Sequence, residues 1–138
     1  MEYKYIILIL ILFLIIDLPM IGRINNKMYQ TQFNRINNGP METNKVTIIS
    51  AIICYFLLAI GTYYFVVKPG LEKNISNIDI FLSGMLAGLV TYGIYNTTNK
   101  ITINKFGVRE SIIDTLWGTV LTGIVASISF IIIKKNII

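Results

Sequence analysis

Apolar residues in this chain come in long unbroken runs, and polar residues are pushed into the gaps between them. The first run extends from about Tyr5 to Gly22. Taken only to Ile16 it falls short of the roughly 20 residues that a bilayer crossing needs. The predicted helix therefore carries Asp17 and Pro19 into or near the membrane, and Pro19 predicts a kink. The opening, with Glu2 and Lys4 ahead of Tyr5, has the form of a signal-peptide core. No good small-x-small cleavage site follows it, so it reads as a retained first span. Val46 to Val67 is the clearest run: it carries no charge, and Lys68-Pro69-Gly70 is expected to end it. The third run opens at Ser76-Asn-Ile-Asp79, which has the spacing of a capping box, and continues to about Tyr95. Ser111-Ile-Ile-Asp114 repeats that spacing before the fourth run, which ends at Lys134-Lys135.

Between the first two runs, Ile24, Met28, Phe33 and Ile36 recur at roughly helical spacing among basic and amide residues. This predicts a short amphipathic helix at the membrane interface. Asn37-Asn38-Gly39-Pro40 breaks it. The expected fold is all-α: one integral membrane domain, 1–138, with four transmembrane helices at about 5–22, 46–67, 78–95 and 112–133.

Composition supports that solvent assignment. Hydrophobic residues make up 54% of the chain and charged residues 14%, where a soluble domain carries about 25% charged. Mean hydropathy is +0.68. A chain of 138 residues is too short to hide that much apolar surface in a core. The formal charge of +5 is spread over loops without a dense basic run, so nucleic acid is not an expected partner and the lipid bilayer is. Counted by loop, five basic residues fall on the side of the termini and seven on the other, which places the termini extracytoplasmic. There is no histidine, which excludes His-based metal sites and triads, and neither an enzyme activity nor a cofactor is expected. Cys54, the single cysteine, reads as an inert apolar residue. Asn74-Ile-Ser76 and Asn96-Thr-Thr98 match the glycosylation pattern by chance in an Asn-rich chain.

Candidate chemistry gathers around Tyr92–Gly118. With four spans, Asp17, Asn96, Asn99 and Asp114 all fall near one side of the membrane at similar depth. Gly88, Tyr92, Asn96 and Asn99 share one helical face, as do Asp114, Trp117 and Leu121. The candidate polar cluster is Asp17, Tyr92, Tyr95, Asn96, Asn99, Asp114 and Trp117. Intramembrane carboxylates often mark ion paths or ligand sites, and two close together would share a proton. Plainer readings stand beside this one. Asp114 fits a helix cap, Asp17 fits backbone freed by Pro19, and the aromatics fit an interfacial belt. Small residues at Gly84, Gly88, Gly118 and Thr122 predict close helix packing.

Tyr95-Asn96-Thr97-Thr98-Asn99, followed by Asp114-Thr-Leu-Trp117-Gly118-Thr119, resembles a family of small, mostly bacterial, predicted integral membrane proteins of unknown function. Its pattern is Tyr-Asp-x-Thr-Asn and then Asp-x-x-Trp-Gly-Thr. Asp17, Gly22 and Tyr29 match its first-span pattern, Asp-x-x-Trp-x-Gly with a later Tyr. Met20 stands where that pattern has Trp, and Asn96 where it has Asp. The resemblance covers nearly the whole chain and implies four membrane helices with no assigned activity. Two functional readings follow. The first is a structural component packing with itself or with membrane-protein partners. The second is a small transporter or ion- or ligand-binding protein using Asp17, Asn99 and Asp114. The Ile/Asn/Lys bias fits a low-GC bacterium, a protist or a large DNA virus, so the expected site is a cell membrane, or a virion or host membrane in the viral case.

Overall fold

A computed structural model describes residues 2–136. Four long apolar helices form it: α1 (Tyr3–Ile24), α3 (Lys45–Glu72), α4 (Asn77–Thr102) and α5 (Val108–Lys134). A shorter helix, α2 (Asn26–Asn37), lies between the first two. No strand occurs among the described residues.

Both prolines within spans are absorbed without ending the helix. After Pro19, α1 widens into a π turn, Met20–Ile24, closed by the Asn25 amide donating to the Met20 carbonyl at 2.9 Å. In α3 a π turn, Tyr63–Val67, precedes Pro69. A proline lacks an N–H and crowds the carbonyl four residues back, and a one-residue π bulge relieves both. Lys68-Pro69-Gly70 therefore does not terminate the second span, which continues to Glu72. At Gly70 the missing Cβ leaves room for the Ile80 side chain from the next helix.

The last two helices are longer than their apolar runs. α4 continues through Asn96–Thr102 because its polar side chains bond back to its own carbonyls: Asn96 to Tyr92 at 3.0 Å, Thr97 to Gly93 at 2.6 Å and Thr102 to Thr98 at 2.9 Å. Polar residues bonded this way leave the helix ladder intact. Only residues 103–107 connect α4 to α5, and the Lys100 ammonium donates to the Phe106 carbonyl across that turn at 2.8 Å. The capping box at Ser76 forms in its first half, the Ser76 hydroxyl accepting from the Asp79 amide at 3.2 Å. The one proposed at Ser111 does not form. Gly107 is the N-cap of α5, Ser111 already lies inside the helix bonding back to the Gly107 carbonyl at 2.7 Å, and Asp114 is free of any capping duty.

α5 is the central helix, with 50% of its most apolar stretch buried against 17% in each of the other three. Its main partner is α4. A Cβ added at Gly84 would sit 2.9 Å from Ala126 Cβ, Gly123 Cα and the Thr122 carbonyl, and one at Gly88 would sit 2.5 Å from the Gly118 carbonyl. The Tyr92 ring occupies the space over Gly118. The small-residue stripes of the two helices thus face each other within one chain. α1 packs on α3 and α5. α3 meets α4 and α5 chiefly through its π turn. Outward faces are hydrocarbon: Ile7, Ile11 and Ile15 on α1, and Ile49, Ile52, Ile53 and Phe56 on α3 are all exposed.

Candidate functional site

Asp17 lies on the α1 face that carries Ile9 and Phe13, two turns beyond Ile9, and only 4% of it is exposed. A carboxylate at that depth needs donors, because no water replaces them in hydrocarbon. Two other helices supply them. The Tyr55 hydroxyl of α3 donates to Asp17 Oδ2 at 2.8 Å, and the Trp117 indole N–H of α5 donates to Oδ1 at 2.8 Å. Three helices are thereby joined through one side chain.

Asp114 is the counterpart, one helical turn before Trp117. Its Oδ1 accepts from the Tyr29 hydroxyl of α2 at 2.6 Å, and its Oδ2 accepts from Asn96 Nδ2 of α4 at 2.8 Å. Asn96 is 2% exposed and also lies 3.2 Å from Thr115 Oγ1. At the position where the resembled pattern carries Asp, this chain therefore presents an amide donor to Asp114. Burial and the adjacent Asp114 carboxylate push the Tyr29 phenol far above its ordinary range, so Tyr29 remains a donor at any physiological pH.

α2 is held over this end of the bundle by two further contacts. Gln32 Oε1 accepts from the Gly107 amide at 3.3 Å, and Arg35 pairs with Glu110 at 3.2 Å. Gly107 is a close-approach position, since a Cβ there would collide with the Glu110 carboxyl and come within 2.8 Å of Arg35 Nη1.

Asp17 and Asp114 line one cavity of about 340 Å³ together with Tyr29, Tyr55, Tyr92 and Tyr95. No Lys or Arg lines it. The ion pairs among the described residues, Arg35–Glu110 and Lys68–Glu2, both lie elsewhere. A carboxylate has about four acceptor positions, and each of these two engages two side-chain donors. Acceptor capacity remains for something in the cavity.

Of the residues expected in the cluster, Asp17, Tyr92, Tyr95 and Asp114 line the cavity, while Trp117 and Asn96 buttress its carboxylates. Asn99 does not line it; it lies one turn beyond Tyr95, whose ring meets Phe106 edge-on at 6.5 Å. The structure adds Tyr55 and Cys54 of α3 and Thr91 of α4. Tyr55 is one of three tyrosines in the uncharged run Val46–Val67, with Tyr63 and Tyr64, and nothing local singles it out as the donor to Asp17.

The architecture defines the class: a multi-pass α-helical membrane protein whose helices converge on two carboxylates, Asp17 buried and Asp114 half-buried. Within that class the chain belongs to the family described as "Predicted membrane protein (DUF2177)", whose model matches residues 3–131. No curated protein and no solved structure matches it.

Proposed function

We propose that the protein is a membrane-embedded, non-enzymatic binding protein or carrier for a cationic or hydrogen-bond-donating group, held at the Asp17–Asp114 cavity. One observation carries this reading: two carboxylates from different helices line a single interhelical cavity with no basic residue in its lining. Burying an unpaired charge in a bilayer costs roughly 2.5–3.5 kcal/mol or more, which a cationic guest offsets. The reading of the protein as a structural component has less to rest on. Gly84 and Gly88 are already engaged against α5, so self-association would fall to the smooth outer faces of α1 and α3.

The test is cation binding and flux in proteoliposomes, with protons and small organic ammonium ions as the probes. Wild-type protein should respond, and Asp17→Asn with Asp114→Asn should abolish the response while the helical content is retained. Equal behaviour of wild type and double variant toward every probe would sink the proposal.

A further inference from the structure

The carboxylate cavity continues beyond its polar end. Three of its lining residues, Cys54, Leu58 and Thr91, also line a second space of about 340 Å³ farther along the same two helices. Gly61, Phe65 and Ala87 wall that space, and no charged residue does. α3 approaches α4 closely from Tyr63–Val67 onward, where Gly70 also meets Ile80. Above that point the groove faces outward, where the bilayer lies, with exposed Leu57 and Phe65 at its rim. The protein thus holds an acidic, aromatic-walled head site joined to an apolar trough that is open sideways.

We infer that the ligand is a lipophilic organic cation, a protonated or quaternary amine on a hydrocarbon body, which enters from the bilayer between α3 and α4. This rests on the carboxylate reading above and specifies its ligand. Charge complementarity selects a cation, because Asp17 and Asp114 are the only charged groups lining the head site. The rings of Tyr29, Tyr55, Tyr92 and Tyr95 suit an organic ammonium, whose diffuse charge rests favourably on aromatic faces. A hard metal ion wants six or more oxygen ligands, and among the described residues no group of three or more acidic, thiol or imidazole side chains is placed to hold one; Cys54 lines the cavity without completing such a set. The trough supplies what an inorganic ion would not use: a hydrocarbon-lined continuation of the site, reached without crossing the interface.

Trp117 is the only tryptophan and Cys54 the only cysteine, so the unmodified protein carries a reporter at each part of the site. Full-length protein in lipid nanodiscs is titrated with dodecyltrimethylammonium, with tetramethylammonium as the head alone and with dodecanol as the tail alone. Trp117 emission should shift saturably with dodecyltrimethylammonium, at an apparent Kd at least tenfold below that of tetramethylammonium, and not with dodecanol. Alkylation of Cys54 by a bilayer-soluble maleimide should slow at least fivefold under dodecyltrimethylammonium and not under dodecanol. Gly61→Leu, which fills the trough, should remove most of the tenfold preference and leave the tetramethylammonium response. Equal affinity for the long and short ammonium ions overturns the trough inference while leaving the cation reading intact. Protection of Cys54 by dodecanol as strong as by the amphiphile overturns it as well. Absence of any saturable ammonium response in wild type overturns both.

Discussion

α4 faces α5 along one side and α3 along another, and the two junctions are built on opposite principles. Toward α5 the small residues meet backbone to backbone, leaving no room for a methyl group at Gly84 or Gly88. Toward α3, equally small residues, Gly61, Ala87 and Cys54, line empty space, and a Cβ at Gly61 would find nothing nearer than Phe65 at 4.0 Å. Small side chains let helices approach; they do not by themselves make them do so. Closure of the α4–α5 seam is aided by a five-residue connection, 103–107, which holds the two helices as neighbours. α3 is instead held to α1 by Tyr55–Asp17 and to the bundle by its π turn, and the stretch between those two points stands away from α4.

The sharpest way to break this contrast is to add bulk on both sides. Gly88→Leu or Gly118→Leu should destabilise the fold by about 3 kcal/mol, because the first would press on the Gly118 carbonyl and the second on the Tyr92 ring packed in the seam. Gly61→Leu should change it by no more than about 0.5 kcal/mol. Unfolding in mixed micelles measures both, and comparable losses would show that the α3–α4 gap is as tightly packed as the seam. Next in size is the carboxylate that bridges α1 to α3 and α5. Asp17→Ala leaves the Tyr55 hydroxyl and Trp117 N–H without acceptors and should cost about 2 kcal/mol. Adding Tyr55→Phe should cost less than additively, by about 0.6–1.7 kcal/mol in a double-mutant cycle. Strict additivity would mean the Tyr55–Asp17 bond holds nothing together.

Smaller effects test the ends. Arg35→Ala should cost about 0.5 kcal/mol and speed amide exchange in α2 while leaving α4 and α5 protected, since the ion pair is partly solvated. At the opposite end, Lys68 hydrogen-bonds the Glu2 carboxylate and holds it below its ordinary range, with help from Tyr64. A carboxyl whose folded value is depressed contributes stability above its unfolded value, and loses that contribution as pH falls through the folded one. The small difference in melting temperature between wild type and Glu2→Gln should therefore be present at pH 6 and vanish below the depressed value. A difference independent of pH would mean the contact is not ionic.

The spans were legible because a chain this apolar has one stable disposition, and the topology placed Asp17 and Asp114 on one side from counting alone. The polarity of Asn96–Thr102 predicts an end to the helix that does not occur, because Asn96, Thr97 and Thr102 bond their own helix's carbonyls. The Ser111 capping box was a coincidence of spacing, and Gly107 begins the helix a turn earlier. Asn99 was grouped with the carboxylates because it shares a face with Asn96, but Asn96 alone occupies the position opposite Asp114. Tyr55 was not legible, since nothing local marks one tyrosine of an uncharged span as the partner of a residue 38 positions earlier.

The separation of Asp17 from its partners along the chain has a consequence for synthesis. Its first donor arrives 38 residues later and its second 100 residues later, on α5. Until α5 enters the bilayer, the carboxylate of α1 has no indole to meet it. The site around Asp17 is therefore complete only when residues 100 positions apart in the chain have both been made.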